Sequence, residues 1–165
     1  MEKNEYSCVL NLPYPCVKGN DNNRLVTELL YKAYLSELYA ISEYTYQEIL
    51  FEKDYKVAAE IMECIAVTEM KHFKMLGKLI LELGYDPKIK FTDGQHKSIK
   101  TVRNPSVNDT FFKNAVYGDI IDVRSAAMTY RRIAELTTDK DIKALINRII
   151  LDEEHHAEAL ERLIK

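Results

Sequence analysis

The sequence predicts an all-α protein, a four-helix bundle made of two antiparallel helical hairpins joined by a long crossover. Three observations lead there. Apolar residues recur at steps of three and four through four long stretches. Five Gly and four Pro in 165 residues are too few for the turns of an all-β chain. The main breakers, Gly19, Gly84, Pro87, Gly94 and Pro105, fall between the helical stretches. The length suits one domain, and 47% hydrophobic with 30% charged residues is enough to build a core. A net charge of −3 gives no electrostatic claim on nucleic acid or an anionic membrane. No apolar run approaches the ~20 residues of a membrane span. The opening Met-Glu-Lys-Asn-Glu-Tyr lacks the apolar core of a signal peptide, so a cytoplasmic protein is expected.

Residues 1–21 read as an extended arm, because Pro13 and Pro15 disfavour helix. Residues 22–165 form the bundle. The first helix is expected from about Asn22 to Lys53, and the second from an N-cap at Asp54 to Leu83, ended by Gly84 and Pro87. Residues 85–105 show no sustained period and form the crossover. The third helix starts between Ser106 and Asp109 and runs to about Leu136. Thr138 or Asp139 caps the fourth, which continues to the C-terminus. Each helix is about 40 Å long. Short connections make helices one and two, and three and four, antiparallel neighbours, while the long middle connection can travel the length of the bundle. Cys8, Cys16 and Cys64 form no Cys-x-x-Cys pair. They are expected as two free thiols in the arm and a small core residue in helix two.

The chemistry lies where polar residues interrupt the apolar stripes. Helix two lines up Ile61, Ile65, Leu76, Leu79 and Leu83, and the same face carries Glu69 and His72. Helix four lines up Ile142, Leu145, Ile149, Leu160 and Leu163, interrupted by Glu153 and His156. A Glu and a His three apart on a helix point the same way and can bind one ion. Both residues of the second pair follow those of the first by 84 positions (153 − 69 and 156 − 72), and the flanking apolar residues keep that offset. The second hairpin therefore reads as a repeat of the first. An unpartnered buried carboxylate costs several kcal/mol, so two such pairs in register point to metal. On helix one, Glu37 interrupts Leu30, Ala33, Ala40 and Ile41, and Tyr44 two turns on can donate to a ligating carboxylate.

With Ser36-Glu37-Leu38-Tyr39-Ala40-Ile41 and Tyr44, Glu69-Met70-Lys71-His72, and Asp152-Glu153-Glu154-His155-His156, residues 22–164 resemble the ferritin-like di-metal carboxylate proteins, in particular the rubrerythrin and manganese-catalase branch. The resemblance implies a ferritin-like bundle holding two metal ions, iron or manganese. Glu37, Glu69, His72, Glu153 and His156 would be the ligands, with Tyr44 and Tyr130 in support. It implies an oxidoreductase of peroxidase, catalase or ferroxidase type, acting on peroxide, oxygen or ferrous iron. It also implies a homodimer. Without a cysteine-bound rubredoxin iron centre in this chain, electrons would come from a separate donor.

One departure is plain. Glu37 stands seven residues before Tyr44, but seven before Tyr130 is Val123, which cannot ligate. Asp119 lies one turn earlier on the same stripe, and Asp122 is adjacent but rotated about 100°. Either can substitute through a shifted or water-bridged contact; alternatively both are surface charges. The missing carboxylate leaves a second reading open, a metal-binding or structural protein whose site no longer catalyses. His155 and Glu154 are expected to point outward, Asp152 would pair with His155 three residues on but out of the repeat register, and His96 is expected in the crossover.

Overall fold

The computed structural model describes residues 8–90 and 106–165. Four helices account for most of them: α1 Arg24–Phe51, α2 Lys56–Glu82, α3 Asp109–Leu136 and α4 Lys140–Ile164. Three begin at side-chain caps, which satisfy backbone N–H groups that have no partner within the helix. Asn23 accepts from Leu25 N, Asn108 from Phe111 N, and Asp139 from both Asp141 N and Ile142 N. The second helix departs from expectation, since Asp54 is not its N-cap. Tyr55 holds that position with no side-chain cap. Its ring instead stacks on Phe112 at 4.2 Å, and its hydroxyl donates to Asp109, so packing between the hairpins fixes the start of α2. Gly84 closes α2 at φ +84°, a left-handed conformation that glycine adopts without a Cβ penalty.

α1 packs along α2 and α3 along α4; the hairpins then meet α1 on α3 and α2 on α4. Among the described residues no Cα of α2 approaches within 8 Å of a Cα of α3, although the two helices are consecutive in the chain. They stand diagonally, as a crossover requires, and as an up-down bundle would not. Residues 91–105 of that connection, His96 included, lie outside the described residues.

The interior consists of two apolar clusters. Phe51, Met62, Ile65, Phe112, Val116 and Leu160 build one, and Leu30, Leu76, Leu79, Ile133, Ile142 and Leu145 build the other. Burying each such side chain contributes roughly 1.5–3 kcal/mol. Residues 8–23 have no regular secondary structure and lie back against the bundle. Here the cysteine expectation is corrected: Cys8 and Cys64 form a disulfide across a 6.2 Å Cα separation, and only Cys16 is free. The arm folds back beside α2, a long-range approach that cysteine spacing does not encode.

Candidate metal centre

Between the two apolar clusters lies a layer of buried polar side chains. Glu37 comes from α1, Glu69 and His72 from α2, Glu153 and His156 from α4, and each is at most 3% exposed. A helix turns 100° per residue, so each Glu-x-x-His pair projects from one face towards the bundle axis. Ligand atoms of Glu37, Glu69, His72 and Glu153 all fall within 4.8 Å of one another. His72 Nδ1 lies 2.8 Å from Glu69 Oε2, 3.4 Å from Glu153 Oε1 and 3.7 Å from Glu37 Oε2. His156 Nδ1 lies 3.0 Å from Glu69 Oε1, but without hydrogen-bond geometry. Among the described residues, both ring nitrogens of His156 and Glu69 Oε1 are buried polar atoms with no hydrogen-bond partner.

The charges at the centre do not balance among the protein groups alone. Burial, and then the neighbouring Glu69, drive the Glu37 carboxyl well above its ordinary range; the same two influences raise Glu153. Burial also disfavours charge on Glu69, yet His156 and His72 beside it outweigh burial and hold it well below that range. Burial opposes charge on His72, but Glu69 and the acceptors around the ring raise it well above its ordinary value. Two carboxyl groups are thus left poorly compensated around a cluster of nitrogen and oxygen donors. Carboxylate and imidazole donors of this kind suit iron or manganese, and divalent cations would both satisfy the orphaned atoms and restore the charge balance.

The surrounding shell partly departs from the expected one. Tyr130 donates its hydroxyl to Glu37 Oε1. Tyr44 is buried and lines the adjoining cavity, and among the described residues it makes no hydrogen bond to a carboxylate. Val123 is buried at the position where α3 lacks a carboxylate. Asp119 is buried too: its Oδ1 accepts from Gln47 Nε2 at 2.8 Å, and its Oδ2 has no partner. Burial, reinforced by Glu43 and Asp122, pushes Asp119 up to about 7 against the Gln47 hydrogen bond. Asp122 is exposed, and neither aspartate joins the group of converging ligand atoms. Both line a cavity of about 190 Å³ between α1 and α3, which Glu37, Glu69, Val123 and Glu153 also line.

Three further residues complete the centre, and the sequence did not single them out. Asp152, expected as an out-of-register partner of His155, is instead 1% exposed and takes His72 Nε2 at 3.0 Å. Arg148 pairs with its Oδ1 at 2.6 Å, and Tyr14 of the arm donates to its Oδ2 at 2.6 Å. Burial opposes ionisation of Asp152, but hydrogen bonds from His72, Arg148 and Tyr14 bring it down to about 2. The 84-residue offset pairs Asp152 with Thr68, so the repeat gave it no acidic counterpart. A local signal did exist: Asp152 falls three residues after Ile149 and four before His156, on the same stripe. His155 is half-buried beside Glu158, and Glu154 is exposed in an ion pair with Arg131.

Comparison with known proteins agrees with the helical fold. The rubrerythrin family profile matches residues 28–164. The chain belongs to the rubrerythrin family. It is 31% identical over 141 residues to a putative rubrerythrin of Methanocaldococcus jannaschii, covering 82% of this chain and 67% of that one. It is 29% identical over 144 residues to a bacterioferritin of Desulfovibrio desulfuricans, covering 87% and 76%. An X-ray structure of the D. desulfuricans bacterioferritin, determined with its diiron site in different catalytic states, superposes with a TM-score of 0.68 at 27% identity, over 84% of this chain and 77% of that one. The bacterioferritin of Rhodobacter capsulatus shares the fold, with a TM-score of 0.65 at 24% identity over 86% and 84%. The rubrerythrin-family match begins at residue 28, so the arm that delivers Cys8 and Tyr14 lies outside it.

Proposed function

We propose that this rubrerythrin-family chain is a di-metal carboxylate oxidoreductase acting on peroxide, oxygen or ferrous iron. Glu37, Glu69, His72, Glu153 and His156 would hold two metal ions. The diiron site of the D. desulfuricans relative favours iron over manganese. The observation that carries the reading is the orphaned set, Glu69 Oε1 and both nitrogens of His156, buried beside the converging carboxylates of Glu37, Glu69 and Glu153. When bound, the metals supply Lewis acidity and one-electron redox chemistry.

The protein's own groups have definable tasks. Asp152 accepts from His72 Nε2, which leaves Nδ1 facing the carboxylates as the ligand atom. Tyr130 fixes Glu37 through one oxygen and leaves the other free. The cavity between α1 and α3 gives a small molecule a route to Glu37, Glu69 and Glu153, while Asp119 and Asp122 place negative charge along it and can act through bridging water. The apolar clusters above and below keep the remaining faces dry. A separate electron donor and a cytoplasmic homodimer complete the proposal.

The test is anaerobic loading of the apo-protein with iron(II) or manganese(II), followed by metal analysis and by assays of peroxide consumption and ferrous oxidation. About two equivalents of metal with turnover of one of these substrates support the enzyme. An intact fold that takes up no metal, or takes it up without any turnover, supports the non-catalytic reading that Val123 in α3 favours.

A further inference from the structure

The arm reaches the metal centre from outside the four helices, and several independent contacts seat it. Cys8 is fully buried and disulfide-bonded to Cys64 on α2. The buried Arg148 donates to the carbonyls of Leu10 and Leu12, and its guanidinium lies 4.4 Å over the Tyr14 ring. Further along, Gly19 sits so close to α2 and α4 that a Cβ there would overlap Ile142. Asn20 N and Asp21 are tied to Asp139 and Thr137. Between these anchors the Tyr14 hydroxyl is held 2.6 Å from Asp152 Oδ2, the oxygen that takes His72 Nε2. Arg148 therefore does two jobs with one side chain: it holds the arm's backbone and neutralises the aspartate that orients the histidine.

We infer that Tyr14 is a positioning residue for His72, acting through Asp152, and that the Cys8–Cys64 disulfide makes this positioning dependent on redox state by fastening the arm. The inference rests on His72 being a metal ligand. With the disulfide intact, the arm cannot leave α2, and the Tyr14 O–H remains on Asp152. A dithiol reductant attacks one sulfur by thiol–disulfide exchange. The S–S bond breaks, Cys8 and Cys64 each gain a proton as thiols, and the reductant is oxidised to its own disulfide. Of the two cysteines, Cys8 is fully buried and Cys64 partly exposed. Once the link is cut, the arm keeps its hydrogen bonds, the stacking on Arg148, the Lys18–Asp141 ion pair and the Gly19 contact, but loses its covalent tie to α2. It can then lift, removing Tyr14 from Asp152 and admitting water to the outer edge of His72.

The experiment compares cobalt(II) binding and arm accessibility in the full chain. Wild type and Tyr14→Phe are each prepared oxidised, and reduced and then freed of reductant; Cys8→Ser serves as a second way to open the link. Cobalt affinity and the visible cobalt spectrum report on the site, limited proteolysis of residues 8–20 reports on the arm, and circular dichroism confirms the fold. Oxidised Tyr14→Phe keeps the ring under Arg148 and loses only the hydroxyl, so its arm should stay protected. Its cobalt affinity should fall about tenfold, the scale of one hydrogen bond to a charged group. Reduced wild type should show at least about tenfold faster arm cleavage and a similar loss of affinity. Reduction should not weaken cobalt binding further in Tyr14→Phe. Tight cobalt binding in wild type that ignores both reduction and the tyrosine change would overturn this inference and leave the metal site standing. A further loss on reducing Tyr14→Phe would remove Tyr14 as the link between arm and site. Wild type that binds no cobalt in either state would overturn the metal-site reading itself, and this inference with it.

Discussion

Asp152 and His72, 80 residues apart, meet at 3.0 Å through Oδ2 and Nε2, so the α4 residue next to Glu153 orients the histidine of α2. The hairpins are thereby coupled twice: by carboxylates converging on His72 Nδ1, and by an acceptor behind the ring. Asp152→Asn keeps the shape of the side chain but removes its charge. We expect metal affinity to fall about 10–100-fold, the usual cost of losing a group that orients a ligand. Isothermal titration with cobalt(II) measures it; unchanged affinity would show that packing alone orients the ring.

The site residues differ in how far sequence reveals them. The two Glu-x-x-His pairs were legible because burial and helical period act on neighbouring positions, and because the 84-residue repeat set them in register. Glu37 was legible as a break in an apolar stripe. Asp152 was masked by the same repeat, which aligns it with Thr68. Tyr14 and Cys8 carry no periodic signal, since an extended arm is placed only by what it meets in three dimensions. The four helices followed from local periodicity, whereas the start of α2 at Tyr55 depends on stacking with Phe112 of the other hairpin.

Glu69 and Glu153 should respond differently to replacement by leucine, although both changes should abolish metal binding. Glu153 is a poorly compensated carboxyl raised by burial and by Glu69. Glu153→Leu should therefore leave the apo-protein as stable or more stable, by up to a few kcal/mol. Glu69 compensates two histidines, so Glu69→Leu should cost roughly 3–5 kcal/mol. Urea denaturation of the two metal-free variants checks the order; equal effects would contradict the charge assignment.

Asp119 predicts a pH dependence. Its folded value of about 7 stands above the unfolded value near 3.8, so the folded state binds a proton that the unfolded state has released. Stability of the apo-protein should accordingly fall as pH rises from about 4 to about 7, and this contribution levels off above. About 4 kcal/mol is the upper bound for three pKa units, reduced by solvent in the cavity. Asp119→Asn should flatten the slope in that window, as followed by urea midpoints from pH 4 to 8. A slope equal to that of wild type would remove Asp119 as its source.

Val123 predicts unequal metal positions. Glu37 can serve one ion as an outer ligand, but α3 offers the other no carboxylate among the converging atoms. That ion has less charge compensation and should bind more weakly. Val123→Glu should tighten the second equivalent while leaving the first unchanged, a difference visible as two phases in an anaerobic iron(II) titration. Two equally tight phases in wild type would show that Asp119, Asp122 or water bridging replaces the missing carboxylate.

The most direct test of the central claim is metal-edge anomalous diffraction from crystals grown after anaerobic iron(II) loading. The account predicts two anomalous peaks in the polar layer, about 3.5–4 Å apart. Glu69, Glu153, His72 and His156 should ligate, Glu37 should sit at one peak, and His72 should bind through Nδ1. A single peak, peaks only at surface carboxylates, or no peak in a well-loaded crystal would contradict a di-metal centre in this bundle.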